Sequence, residues 1–201
     1  MNGEALLETE RLRLRSWCRE DCKPYHRACN TPAVMRWLGG VQTSAQLRAD
    51  VDYFFKSESR DGITFWVVER LVDDAFLGFC GLIRIPVGKC PVAGELEIGW
   101  RIRADEWRKG YAFEAASAVL DYAFDRLNTA RVLSRAAARN IASQQLMEKL
   151  GMKRCPHLNY LAPGETSPLV AYLINASSRR ENVQTALFAL TMPGARNDAA
   201  C

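Results

Sequence analysis

With 201 residues, 48% hydrophobic and 25% charged, the chain has the balance of one folded domain carrying at most a modest appendage. The formal net charge is only +4 and the basic residues are scattered in nothing longer than pairs such as Arg179 and Arg180, which favours a solvated surface over a nucleic-acid stripe. No apolar run is long enough to span a bilayer and "MNGEALLETERLRLR" lacks the apolar centre of a signal peptide, so with seven irregularly spaced cysteines we expect a cytoplasmic protein with reduced thiols and no membrane partner.

In chain order, "TERLRLR" (9–15) alternates polar with apolar residues and predicts a strand. Helices are predicted near 21–30 and 44–58, the second capped by Thr43 or Ser44. Cys18, Cys22, His26 and Cys29 would share one stripe, and could suggest a soft metal site, if 18–29 were a single helix. Pro24, however, belongs in the first turn of a helix, which places Cys18 before it and favours packing cysteines and no metal. "GITFWVVERL" (62–71) and "AFLGFCGLIRI" (75–85) are β-rich and separated by "VDD", a hairpin. Cys80 in the second run has no nearby His and reads as a buried thiol, not a nucleophile.

After a loop at 86–95, "ELEIGWRIR" (95–103) alternates cleanly. Leu96, Ile98, Trp100 and Ile102 face one way, and Glu95, Glu97, Gly99, Arg101 and Arg103 the other. A helix follows over about 111–127 on the apolar spacing of Ala112, Ala115, Ala116, Val119, Leu120, Ala123 and Leu127. Then come a strand at 130–137, a helix capped by Asn140 and stopped by Gly151, and a strand at 168–175. Ser178 and Glu181 fit a capping box for a tail helix. Its face of Val183, Ala186, Leu187 and Leu190 must pack on the domain or on a second copy, which makes a homodimer one arrangement to test. These elements predict a mixed α/β (α+β) chain with one central sheet, a domain over 1–176 and a helical, polar tail over 177–201.

The turn "WRKGYA" (107–112) puts Arg108 and Lys109 at a helix start, where the macrodipole favours negative charge. Exposed N–H groups, two cations and Gly110, which lets a ligand approach the backbone, together suit a phosphate or pyrophosphate. By itself the hexapeptide reads equally well as an exposed turn with incidental cations. Neither GxxxxGK[ST] nor GxGxxG is present, which argues against a nucleotide P-loop or a Rossmann site.

Context decides between these. "ELEIGWRIRADEWRKGYAFEAASAVLDYAF" followed by "NTARVLSRAAARNIASQQLMEKLGMKR" resembles the GCN5-related N-acetyltransferases (GNAT), and within them the ribosomal-protein alanine acetyltransferase (RimJ/RimL-like) branch. "ETERLRLRSW", "VMRWLGG" and "FLGFCGL" carry the same likeness, which covers about residues 8–175. The resemblance implies a mixed, mostly antiparallel sheet with a splayed strand pair that binds acetyl-CoA. Trp107, Arg108, Lys109, Gly110, Tyr111 and Ala112 occupy the family's [QR]xxGx[GA] pyrophosphate loop, with Trp107 departing from its first position. Trp100, Arg101 and Ile102 would offer backbone partners to the pantetheine arm, and Asn140 and Ser143 match the branch's NxxS cofactor contact.

The implied reaction is direct attack of a primary amine on the thioester, through a tetrahedral oxyanion held by a strand N–H near residue 100, with expulsion of CoA thiolate. Glu97 is the expected base, directly or through a water, with Glu95 on the same face; a salt-bridging carboxylate is the alternative role for Glu97. Ser143 and Tyr160 are the candidate acids, Ser143 doubling as a capping hydroxyl and Tyr160 as a pocket residue, and His157 is a further candidate base. The resemblance implies as acceptor either a protein N-terminal α-amine or a small amine. Glu20, Asp21, Asp50 and Asp52 either attract a cationic acceptor or are helix-surface charges. A CoA-binding sensor or interaction module without turnover is the competing function.

Overall fold

The computed structural model describes residues 5–86, 92–161 and 168–191, with the side chains of 183 and 185–191 outside the description. Eight strands form one sheet in the order β1-β2-β3-β4-β5-β6-β8-β7. They are β1 (Ala5–Glu8), β2 (Leu12–Arg15), β3 (Phe65–Arg70), β4 (Ala75–Arg84), β5 (Leu96–Ile102), β6 (Arg131–Ala137), β7 (Lys153–Arg154) and β8 (Leu169–Asn175). The helices are α1 (Cys22–Cys29), α2 (Pro32–Met35), α3 (Ser44–Asp61), α4 (Tyr111–Asp125), α5 (Ile141–Lys149) and α6 (Ala176–Thr191). Every pairing is antiparallel except β5 with β6, which is parallel and registers only at Glu97 opposite Leu133.

The strand alternation expected from the sequence sorts the side chains into two cores. Leu96, Ile98 and Ile102 of β5 join Trp66, Val68, Leu82 and the apolar stripe of α4 (Ala115, Ala116, Val119, Leu120) on one face. Trp17, Tyr25, Phe54, Val67 and Phe79 pack beneath α1 and α3 on the other. Thr43 caps α3 in a reciprocal box with Gln46, and Gly62 closes the helix in the left-handed region (φ 71°).

Three short elements, β1, α2 and β7, were not expected, and the first predicted strand is shorter, because residues 9–11 turn between β1 and β2. The tail helix also starts earlier than its sequence suggests. It runs on from β8 at Ala176, which puts Ser178 inside the helix and not at a cap. Arg179 of its first turn is buried and donates to Asp121 of α4 (2.9 Å) and to the Ser117 hydroxyl (2.8 Å). The apolar tail face of Val183, Ala186, Leu187 and Leu190 lies outside the described side chains. Among the described residues no helix is long and apolar enough to cross a membrane.

Candidate active site

β5 and β6 part just after their single point of register, and hydrogen-bond parity shows which backbone groups the parting exposes. Ile85 donates to Glu95 O and Arg103 donates to Leu77 O, so the odd-numbered residues of β5 bond β4 and the even-numbered ones turn toward β6. Ile98 O is taken by the Ser134 hydroxyl (3.0 Å) and Ile102 O by the Trp107 indole N–H (2.6 Å). Trp100, between them, turns its N–H and C=O into the opening. The three expected backbone partners therefore separate. Trp100 faces the cleft, the backbone of Arg101 faces Phe79 of β4, and Ile102 has its carbonyl occupied.

The chain leaving β5 forms the loop that the sequence singled out. Arg108 (φ 62°) and Gly110 (φ 87°) are both left-handed, which bends successive N–H groups toward one side. Gly110 is the N-cap residue of α4 and offers no side-chain cap, whereas Thr31, Thr43 and Asn140 cap α2, α3 and α5. Glu114 is the first residue whose N–H reaches back, to Gly110 O (3.0 Å), so the amides of Tyr111, Ala112 and Phe113 precede the helical ladder. An uncapped start of this kind fits a pyrophosphate.

Its charges are not all available. Lys109 Nζ is tied to Glu106 (2.8 Å), and that bond, with help from Arg70, holds the Glu106 carboxyl below the usual carboxylate range despite burial. Arg108 is exposed and forms no ion pair among the described residues.

α5 follows the end of β6 as α4 follows the end of β5, so both helix starts lie at the carboxyl ends of the parting strands. Asn140 accepts from the Ser143 N–H (3.3 Å) and its amide donates to Ser143 Oγ (3.1 Å). The cap is therefore Asn140 and not the Ser143 hydroxyl, and because the Ser143 oxygen accepts from Asn140 its own proton is directed elsewhere.

On the opposite sheet face, Glu97 and Tyr160 meet through a residue the sequence reading did not name. Arg135 of β6 grips both Glu97 oxygens (2.8 and 2.6 Å) and donates to Tyr160 Oη (2.5 Å), with the Glu97 and Arg135 side chains only 12% and 15% exposed. Strand alternation places Arg135 on the face of Leu133, which pairs with Glu97. That signal becomes usable only once β5 and β6 are known to be neighbours. Glu95 is engaged in the same way by Arg131 (3.0 Å). His157 is exposed, in a short 3-10 turn at Pro156–Leu158.

The remaining candidates fall into structural roles. Asp21 is buried and paired with Arg15 (2.7 Å), and Asp50 accepts from Tyr25 Oη (3.3 Å) and Gln42 (3.1 Å), while Glu20 and Asp52 are exposed. Cys18 precedes α1 and its thiol donates to Asp21 (3.1 Å), so the cysteines do not share a helical stripe. Burial pushes the Cys29 thiol up to about 12 and Cys80, fully buried, well above its ordinary value, as befits inert packing thiols.

The chain thus has a parted strand pair that leads into an uncapped helix start. Residues 11–153 match the acetyltransferase (GNAT) domain family, and the chain belongs to it. It is 33% identical over 155 residues to the uncharacterized protein YkkB of Bacillus subtilis, covering 76% of this chain and 87% of that one. The crystal structure of an acetyltransferase from Agrobacterium tumefaciens superposes with a TM-score of 0.71 at 25% identity, over 84% of this chain and 93% of that one. RimL, a ribosomal L7/L12 alpha-N-protein acetyltransferase, shares the fold with a TM-score of 0.69 at 15% identity, over 86% and 94%. The protein is an acetyltransferase of the GNAT family, a family that uses acetyl-CoA as co-substrate.

Proposed function

We propose that the protein transfers the acetyl group of acetyl-CoA directly to the nitrogen of a primary amine, either a protein N-terminal α-amine or a small-molecule amine. The observation that carries this reading is the uncapped start of α4 beside the Trp100 backbone, at the point where β5 and β6 separate. The amides of Arg108 to Ala112 would hold the pyrophosphate, Trp100 the pantetheine arm, and Asn140 with Ser143 the neighbouring part of the cofactor. Acetyl-CoA brings an already activated thioester, so holding two reactants in line supplies much of the acceleration.

The Trp100 N–H, turned into the opening, suits stabilisation of the oxyanion. Glu97 is the base that relieves the incoming ammonium of its proton, and it does so by yielding one of its two Arg135 bonds to the amine or to a water. Ser143, whose proton is directed away from Asn140, supplies the acid for the departing thiolate, with Tyr160 as the second donor within the Arg135 group. We read residues 1–176 as the catalytic unit and 177–201 as an appended helix and tail, acting in the cytoplasm without a nucleic-acid or membrane partner.

The test is thiol release from acetyl-CoA across a panel of N-terminal peptides and small amines. At least one amine should release CoA in step with appearance of the N-acetyl product. With that amine, Glu97→Gln should lower kcat about 100-fold while acetyl-CoA affinity is unchanged. Cofactor binding with no release from any amine of the panel counts against N-acetyl transfer, and an unchanged kcat in Glu97→Gln removes Glu97 as the base.

A further inference from the structure

The pyrophosphate loop is held from below by a residue that lies 99 positions before Gly110 in the chain, Arg11 in the turn between β1 and β2. Its Nη1 donates to Lys109 O (3.1 Å), its Nε and Nη2 grip Glu114 Oε2 (2.7 and 2.6 Å), and its backbone N–H donates to Glu114 Oε1 (2.9 Å). The Thr9 hydroxyl adds a fourth donor to that carboxylate (2.6 Å), and the guanidinium lies over the Tyr111 ring at 4.6 Å. A Cβ built on Gly110 would stand 3.2 Å from Arg11 Nη2. The guanidinium edge therefore borders the position where an anion meets the loop, and its side chain keeps 42% exposure toward an open groove it shares with Tyr111 and Arg70.

Two features of the loop call for such a residue. Arg108 sits at φ 62°, a conformation that a side chain bearing a Cβ adopts only when its surroundings impose it. The Arg11 bond to the carbonyl of the next residue is such a constraint. Glu114 also places a carboxylate in the first turn of α4, where it would repel a pyrophosphate approaching the same helix start. Burial pushes that carboxyl up, but the bonds from Thr9 and Arg11 outweigh it and keep Glu114 ionised, so its charge is real and needs an opposing one. Lys109 cannot serve, because Glu106 already holds it.

We propose that Arg11 is a positioning residue of the cofactor site, which fixes the loop 107–110 through the Lys109 carbonyl and cancels the charge of Glu114 so that the start of α4 accepts an anion. The inference rests on the reading of this loop as the pyrophosphate site.

Titration calorimetry of the full chain with acetyl-CoA tests it. Arg11→Ala should weaken binding about 30-fold and Arg11→Lys, which keeps the charge but not the fork, about fivefold. In the Arg11→Ala background, Glu114→Gln removes the uncancelled carboxylate and should recover about fivefold of the loss. A residue that only stapled β1–β2 to α4 would lower Tm in Arg11→Ala and leave affinity unchanged, which overturns the proposal. Failure of Glu114→Gln to recover any affinity overturns the charge-cancelling role. Gly110→Asp, which adds a carboxylate at the loop, separates the two readings. If Gly110→Asp abolishes binding and Arg11→Ala leaves it intact, only this inference fails. If Gly110→Asp binds acetyl-CoA like the parent, the loop itself has been misplaced.

Discussion

Arg15 is 3% exposed and sits between two buried carboxylates, Asp21 (2.7 Å) and Glu69 (2.6 Å), so the turn after β2 is locked to β3 by charge as well as by packing. Burial alone would raise Asp21, but the bonds from Arg15 and from the Cys18 backbone outweigh it and leave the carboxyl below its ordinary value. A depressed folded-state pKa adds stability above the unfolded value of about 3.9, and that stability is lost as pH falls through the lower folded value. Asp21→Asn should therefore cost about 3–5 kcal/mol at pH 7, because it leaves a buried guanidinium short of a partner. Urea titrations of parent and variant should converge as the pH drops below about 4. A gap that stays constant well below that pH, through the lower folded value, contradicts the assignment. From the sequence Asp21 reads as an acceptor-attracting or helix-surface charge, since nothing local distinguishes a helix-start aspartate from one aimed at an arginine on a preceding strand.

At the scale of elements, the parting of β5 from β6 is built by three local choices. Gly78 of β4 (φ 143°) faces Arg101, whose carbonyl oxygen would overlap any Cβ placed there, so close approach of β4 holds one edge of β5. Ser134 closes the pair at Ile98, and Trp107 folds back to take the Ile102 carbonyl while remaining 46% exposed. Trp107→Phe keeps the ring and loses the indole donor. It should weaken acetyl-CoA binding about two- to tenfold, the worth of one hydrogen bond, with little change in Tm. Unchanged affinity in Trp107→Phe would mean that the bond does not shape the site.

The strands around this opening were legible in the sequence because period-two alternation and turn residues are local signals, and β5 was read to within a residue at each end. The turn into α4 was legible through Gly110, which is left-handed there. Arg135 and Arg11 were not, because each acts across a strand order or a turn that local patterning does not encode. β1, α2 and β7, of four, four and two residues, are too short to show a period.

At the scale of the whole molecule, the sheet forms one body from β1 to β7, and α6 joins it through Arg179 at its first turn. Deletion of 177–201 removes that clamp as well as the apolar tail face. It should change oligomeric state or solubility while acetyl-CoA affinity stays within about twofold, since Ser117 and Asp121 lie six and ten residues beyond the start of α4 at Tyr111. Sedimentation velocity and calorimetry on the truncated chain check both parts, and unchanged mass and solubility would count against a packing role for the tail. The acceptor, by contrast, is not written in the fold. α1 to α3 and residues 155–161 carry no motif that selects an amine.

The most direct test of the whole account is a crystal structure of the protein with CoA. The account predicts the pyrophosphate within hydrogen-bond reach of the amides of Arg108 to Ala112, the pantetheine amide against the Trp100 backbone, and the thiol directed toward the side of the sheet that bears Glu97. A pyrophosphate bound elsewhere, with the start of α4 left to solvent, would contradict it.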